Sequence, residues 1–252
     1  MDITIFIFIF ASVFIYRLFR LKLVFIQKKE NKMAKNKKIV FANQKGGVGK
    51  STLCILFANY LAYKKQDVCI IDTDLQKTIA GQRTKDLQIF EENDMPYEVQ
   101  EFDVQDPKMM KQLMDSASEV DGYVLFDSPG NVGEDGLVPM FVNADAIIIP
   151  YEYEDKCLDS TGTFVQVLTA IQQKFPQMKA DLFFVPNKID TRIGTSDEIK
   201  MWKATDDIFS KFGRVTPRVG SRATLKRINT AELLATQRDA VAAAFDYIIK
   251  KA

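Results

Sequence analysis

The chain has 252 residues, of which 47% are apolar, so it is long enough to bury one substantial hydrophobic core. Its 34 basic and 33 acidic residues leave a net charge of +1, so an anionic partner would have to be held by a local basic patch. The sequence contains no histidine, and its three cysteines lack the spacing of a zinc site or a disulfide framework. Imidazole chemistry is therefore excluded, and the reducing cytoplasm is the favoured compartment.

The N-terminus carries an unbroken apolar run at residues 3–16, followed by basic residues, but a membrane-spanning helix needs about 20 residues. The run has three interpretations: a membrane anchor with its basic flank in the cytoplasm, an apolar arm packed on the domain, or a segment upstream of the true start of translation. The third is favoured, because Met33 lies a few residues before the first predicted strand. The chain is therefore divided into an N-terminal extension, 1–32, and one domain, 33–252.

After this extension, short β-branched runs alternate with longer helical patterns. The predicted strands cover 38–43, 67–72, 97–102, 123–127, 146–150 and 181–187. Helical patterns lie at roughly 51–64, 76–91, 106–118, 134–143, 157–175 and 196–212, and helical turns continue from about 222. Such alternation is typical of βαβ units, so it predicts an α/β fold with a doubly wound, mostly parallel sheet flanked by helices.

The first predicted strand runs into a glycine-rich loop and then a helix, which is the order of a phosphate-binding loop. Glycines allow successive backbone N–H groups to turn toward one anion, and the helix N-terminus adds its positive dipole end. We expect Lys50 to contact the β- and γ-phosphates, Ser51 to reach Mg²⁺ and Thr52 to lie by the α-phosphate. The predicted nucleotide-binding residues of this loop are Gly46, Gly47, Val48, Gly49, Lys50, Ser51 and Thr52.

The loop departs from the ordinary GxxxxGK[ST] pattern, because Gln44 replaces the first glycine and Lys45 follows it. This KGGVGKST form resembles the deviant Walker A motif of the ParA/MinD family of P-loop ATPases. The resemblance implies that Lys45 is the signature lysine, which reaches across an ATP-bound homodimer to the phosphates of the partner subunit. The alternative is a solvated surface lysine beside the loop.

Acidic residues follow two of the predicted strands, at the edge of the sheet where open α/β folds bind ligands. Asp72 and Asp74 match the DxDPQ stretch of the family, with Leu75 in place of the proline. By that resemblance, Asp74 orients the attacking water and Asp72 supports the Mg²⁺ site, whereas the alternative is that one of them only caps the next helix. Asp127 ends a run of four apolar residues and is predicted to hold the water shell of the metal.

The stretch NKID at 187–190 has two interpretations. It matches the NKxD element with which GTPases recognise guanine, whereas ParA/MinD-like proteins commonly place an asparagine that contacts adenine at this strand end. ATP is favoured, because Lys45 and the acidic pair after the second strand resemble the deviant family. Asn187 is therefore predicted to contact the base, with ATP and Mg²⁺ as the cofactors.

The ParA resemblance covers nearly all of residues 36–252. It implies nonspecific DNA binding by the ATP-bound dimer through basic residues of the C-terminal third, with Arg192, Arg218 and Arg222 as the predicted contacts. The alternative is a solvated basic face without a DNA partner. Sequence-specific operator binding is not expected, because no separate DNA-reading domain is apparent.

The family resemblance implies a slow ATPase that is stimulated by a ParB-like or other activating protein. In such an enzyme Asp74 positions a water for in-line attack on the γ-phosphate, while Lys45, Lys50 and Mg²⁺ neutralise the developing charge. The first functional class is a cytoplasmic, nucleoid-associated switch that partitions or positions a plasmid, a chromosome or a conjugative element. A MinD-like switch at the membrane, anchored by the N-terminal run, and a GTPase that uses the NKID element are the alternatives.

Overall fold

The computed structural model describes residues 36–103, 106–131, 135–190 and 195–252, so the N-terminal extension and Arg192 lie outside the described residues. Seven strands form one sheet in the order β3-β2-β4-β1-β5-β6-β7, and every described pairing is parallel. This arrangement confirms the predicted doubly wound α/β fold. The strands are β1 (Lys37–Phe41), β2 (Val68–Asp72), β3 (Glu98–Glu101), β4 (Tyr123–Asp127), β5 (Ala146–Tyr151), β6 (Asp181–Pro186) and β7 (Arg214–Val215).

Helices cover both faces of the sheet and bury the strands on both sides, which is why the central strands are apolar throughout. The helices are α1 (Lys50–Tyr63), α2 (Thr78–Asp86), α3 (Pro107–Ala117), α4 (Val138–Asn143), α5 (Asp155–Lys174), α6 (Ser196–Phe209) and α7 (Ala235–Lys251). One core cluster joins the sheet to α3, α4, α5 and α6, and the other joins it to α1, α2 and α7. Along β1, Val40 faces the first cluster, whereas Ile39 and Phe41 face the second.

The sheet order brings three strand ends to one place. From β1 the chain crosses β4 to reach β2, and it returns after β3 to insert β4 between them. In the resulting register, Asp127 at the end of β4 lies beside both Phe41 of β1 and Asp72 of β2. The loops that follow these strands therefore meet at the carboxyl edge, where a change in strand order opens a crevice.

Two of the differences between the predicted and the observed elements have local causes. The helix predicted from residue 76 begins at Thr78, because Lys77 has a left-handed backbone (φ 46°) that cannot continue a helix. Strand β7 was not predicted, since two residues are too short to produce an alternating pattern; its pairing with β6 defines it. In the part of the chain that the structure describes, no helix is long and apolar enough to cross a membrane.

Candidate active site

The loop between β1 and α1 presents a row of unused backbone donors. Among the described residues, no backbone N–H group of residues 46–52 donates a hydrogen bond to a protein acceptor. Gly47 and Gly49 adopt positive φ angles of 79° and 98°, and a Cβ at Gly49 would lie 2.4 Å from Nδ2 of Asn187. Because α1 begins at Lys50, its N-terminal amides and the positive end of its dipole also point into the loop. Such a concave set of amides fits an anion.

Buried side chains anchor both ends of the loop. Nδ2 of Asn43 donates to the carbonyl of Pro150 at 2.7 Å and to the hydroxyl of Thr161 at 2.9 Å, and its Oδ1 accepts from the Lys45 amide at 3.2 Å. Nδ2 of Asn187 donates to the Val48 carbonyl at 2.8 Å. Asn43 was not among the predicted site residues, although a polar residue at the end of an apolar predicted strand is a signal for such a role.

Lys50 is almost fully buried, with 7% of its surface exposed, and its Nζ donates to the Lys45 carbonyl at 3.3 Å. Burial lowers the pKa of Lys50, whereas the charges of Asp127 and then Asp74 oppose that shift. A Cβ at Gly130 would lie 3.6 Å from Nζ. The ammonium thus lies between the loop and the two carboxylates, in the position needed to neutralise a bound phosphate.

The Asp127 carboxylate is fully buried, and neither of its oxygens has a hydrogen-bond partner among the described residues. Burial raises the pKa of Asp127 to about 8. The nearby Ser51 hydroxyl, at the start of α1, partly opposes this rise in the pKa, although it does not form a hydrogen bond of normal geometry with the carboxylate. Mg²⁺ prefers such hard oxygen ligands and takes the rest of its shell from water and phosphate. The described residues contain no group of three or more acids that could hold a metal alone. Asp127 and Ser51 therefore fit a Mg²⁺ ion that a nucleotide brings with it.

Asp72 has a different environment, although it also ends a buried strand. Its Oδ2 accepts from the amides of Ile79 and Ala80, each at 3.0 Å, and its Oδ1 accepts from the amide of Asp74 at 3.2 Å. The carboxylate thus caps the N-terminus of α2 and fixes the turn that carries Asp74. Desolvation raises the pKa of Asp72, although these amide hydrogen bonds oppose the shift. Asp72 lies next to Asp127, but most of its acceptor capacity is already used.

Asp74 and Lys45 are both half-buried. Oδ1 of Asp74 accepts from the Gln76 amide at 3.1 Å, which orients the side chain from within its own turn. Both backbone polar groups of Lys45 are engaged, whereas its ammonium has no ion pair or hydrogen bond within the described ranges. The Lys45 charge is thus available to a ligand or to a second subunit.

A cavity of about 130 Å³ lies beside the loop, next to Gly49 and Thr52. Asn187 contributes to its wall, so this side chain both holds the loop and borders the cavity. Arg222, predicted as a DNA contact, also borders the cavity. The other lining residues are Leu53, Leu56, Lys188, Gly220, Ser221, Leu225 and Lys226.

The structure separates the basic residues of the C-terminal third into two groups. Arg218 is engaged: it pairs with Asp206 at 3.0 Å, donates to the Tyr153 hydroxyl at 3.0 Å and lies 5.4 Å from the ring centres of Tyr153 and Trp202. The second group is exposed and has no ion pair among the described residues. It comprises Arg222, Lys226 and Arg227.

Known structures with the same fold are similar to this chain over most of its length. A putative plasmid partition protein from Borrelia burgdorferi, bound to AMPPNP, is 18% identical, with 86% of this chain and 100% of that chain covered and a TM-score of 0.65. McdA from Cyanothece is 17% identical (85% and 98% covered, TM-score 0.65). MinD from Aquifex aeolicus, also solved as a MinC:MinD complex, is 18% identical (86% and 98% covered, TM-score 0.64). At this level of identity the similarity establishes the fold.

A comparison with curated protein sequences finds no significant match. The family model described as the CobQ/CobB/MinD/ParA nucleotide binding domain matches residues 39–212, which is more than half of the chain and includes the phosphate loop. This match confirms the resemblance carried by the KGGVGKST loop, and the chain belongs to the ParA/MinD family of P-loop ATPases.

Proposed function

We propose that the protein is an ATP-dependent, dimerising ATPase that partitions or positions DNA, such as a plasmid, a chromosome or a conjugative element. The proposal rests on the backbone amides of 46–52 and the nearby Asp127 carboxylate, none of which has a hydrogen-bond partner in the part of the chain that the structure describes. A polyphosphate with a divalent cation satisfies both at once, because the amides bind the anion and the carboxylate binds the cation. The plasmid partition protein from Borrelia burgdorferi, which binds an ATP analogue, supports this assignment.

Each group of site residues has a separate proposed role. The loop amides and Lys50 bind the phosphates, while Ser51 and Asp127 hold Mg²⁺ and Asp72 supports them by fixing the neighbouring turn. When bound, Mg²⁺ neutralises charge on the phosphate oxygens. Asp74, held at the mouth of the crevice, orients a water in line with the γ-phosphate, and Lys50 stabilises the negative charge that develops during attack.

Lys45 couples this chemistry to the oligomeric state. Its ammonium, which has no ion pair within the described ranges, is proposed to contact the phosphates of the partner subunit in an ATP-bound homodimer, so that each site is complete only in the dimer. Hydrolysis alone is expected to be slow, and an activating protein is proposed to accelerate it. The nucleotide then acts as a timer for assembly.

The experiment that tests this proposal compares Lys45→Ala with Lys50→Ala. We expect Lys45→Ala to bind ATP with nearly normal affinity but to remain monomeric with ATP in sedimentation analysis, whereas Lys50→Ala loses nucleotide affinity. The physical reason is that Lys50 is buried beside the loop of its own subunit, whereas the Lys45 charge has no partner among the described residues of that subunit. ATP-dependent dimerisation of Lys45→Ala at the wild-type level would show that Lys45 is only a surface lysine.

The base is proposed to occupy the cavity beside Thr52, with Asn187 in its wall. ATP is proposed as the nucleotide, and GTP is the alternative because the stretch at 187–190 also matches a guanine-recognition element. Competition of ATP and GTP against a fluorescent ATP analogue separates the two. Stronger displacement by GTP would replace the ATPase proposal with a GTPase.

DNA is proposed to bind to the exposed basic segment formed by Arg222, Lys226 and Arg227, because these charges form no ion pair among the described residues. Such binding releases counterions and weakens steeply as salt increases. It is expected to be nonspecific, to require ATP and to place the protein on the nucleoid in the cytoplasm. If the ATP-bound protein does not bind duplex DNA but binds anionic lipid vesicles, the MinD-like membrane switch becomes the better assignment. The MinC:MinD complex supports a further protein partner in either case.

A further inference from the structure

Lys188 joins three loops at the carboxyl edge of the sheet. It follows β6, and its ammonium donates hydrogen bonds to the Gly47 carbonyl of the phosphate loop and to Oε1 of Glu152, the latter at 2.9 Å. Glu152 directly follows β5. The ion pair therefore connects the loop after β1 to the ends of two neighbouring strands. Apart from the match of 187–190 to the NKxD element, no role predicted from the sequence involves either side chain.

We propose that Lys188 and Glu152 form a clamp that holds the phosphate loop in its anion-binding shape before the nucleotide arrives. Both are positioning residues in this assignment, because they act through the loop. The inference rests on the proposed function only in taking a polyphosphate as the ligand, and it does not depend on which base is bound.

The planar trans peptide explains how contacts on the outside of the loop control the donors on its inside. In each peptide unit the carbonyl oxygen and the following N–H group point in opposite directions. Lys188 holds the Gly47 carbonyl, and Asn187 holds the Val48 carbonyl at 2.8 Å. The N–H groups of Val48 and Gly49 are consequently directed away from these side chains and into the cradle.

The glycines make such a restraint necessary. Gly47 has a φ of 79° and has open space where a side chain would be, so nothing of its own limits rotation of the adjacent peptide. If that peptide rotated, a carbonyl oxygen would replace an N–H group in the cradle and repel phosphate. The Lys188 ammonium opposes this rotation because it would lose its acceptor.

The backbone of Lys188 agrees with this role. Its φ of 58° is left-handed, a conformation that glycine and asparagine adopt at lower cost. Here it directs the long side chain back over the loop. Since Glu152 neutralises the ammonium, the pair brings little net positive charge to the phosphates, and its effect on binding is geometric rather than attractive.

The test uses the full chain and two probes, a fluorescent ATP analogue and inorganic tripolyphosphate, each titrated with Mg²⁺. Lys188→Met keeps the apolar stem and removes the ammonium, and Glu152→Ala removes the other half of the clamp. Lys179→Met and Glu91→Ala are the matched controls, because both residues are exposed and have no contact with the loop.

We expect each clamp variant to bind both probes about three- to fivefold more weakly, because an exposed ion pair contributes modestly. The double variant should bind them no more weakly than either single variant, because each single substitution already breaks the same ion pair. The thermal midpoint should match that of the controls. Increased affinity in Glu152→Ala would overturn the clamp, since it would show that Lys188 acts by attracting phosphate. Unchanged affinity in Lys188→Met would overturn it as well.

Tripolyphosphate separates this inference from the proposed function. If the wild-type protein binds tripolyphosphate and the clamp variants weaken that binding, the clamp stands even where ATP is not the preferred nucleotide. If the fluorescent ATP analogue binds normally and both probes respond alike to the clamp variants and the controls, the clamp fails while the ATPase proposal remains.

Discussion

Replacing Asp127 with asparagine should stabilise the nucleotide-free protein while removing its response to Mg²⁺. Burial raises the pKa of Asp127 from 3.8 to about 8, so the folded protein keeps a proton that the unfolded chain releases above about pH 4. The stability linked to that proton is complete below about pH 4 and is lost as the pH rises toward 8. Asparagine has the same shape and no charge, so it avoids this loss.

The size of the effect follows from the pKa shift. A shift of one pKa unit corresponds to about 1.4 kcal/mol. The shift of Asp127 therefore limits the stability that removal of its charge can add at pH 7 to a value on the order of 4 kcal/mol. Part of this gain is offset, because Asp127 is the leading anion that opposes the lowered pKa of Lys50. We therefore expect Asp127→Asn to gain roughly 2 kcal/mol in the free energy of unfolding at pH 7.

Urea unfolding in EDTA, without nucleotide, measures this effect at pH values from 5 to 8. The advantage of Asp127→Asn over the wild type should grow with pH. When ATP is present, addition of Mg²⁺ should increase the stability of the wild type only. Asp74→Asn is the control, because it removes the same charge from a half-buried site. A variant that is less stable than the wild type throughout, or whose advantage does not change with pH, would refute the assignment of Asp127 as a buried, unpartnered carboxylate.

Three further outcomes are expected. Asp72→Ala should destabilise the protein by about 1–2 kcal/mol in urea unfolding, because the N-terminus of α2 loses its cap. Gly49→Ala should lower the free energy of unfolding by at least about 1 kcal/mol and reduce nucleotide affinity in titrations, since the new Cβ meets Asn187 and the backbone is left-handed. Normal nucleotide affinity in this variant would contradict the close packing of Gly49 against Asn187. Arg222→Ala should reduce the slope of log K for DNA binding against log salt concentration by about one unit. Arg218→Ala should mainly lower the thermal midpoint, because the Arg218 charge is already paired with Asp206. Equal slopes in the two variants would contradict the assignment of Arg222, and not Arg218, as a DNA contact.

Several features of the site could be predicted because their signals are local. These signals lie within short windows of sequence: the glycines and the two lysines at 45–50, the acids at the ends of β2 and β4, and the alternation of strands and helices. The fold and family predicted from them are confirmed. The roles of the individual site residues remain proposals, and the variants described above test them.

The sequence by itself determined where a phosphate loop and acidic strand ends occur, because spacing along one segment fixes which backbone groups and side chains lie together. It left open whether Asp72 supports the Mg²⁺ site or caps the next helix. Only the fold decides that three amides reach the Asp72 carboxylate, whereas no described residue donates a hydrogen bond to Asp127. The sequence likewise did not connect Lys188 with Glu152 and Gly47, because these contacts join segments far apart in the chain. Tertiary structure decides such partners, since the order of strands in the sheet determines which loops meet at its edge.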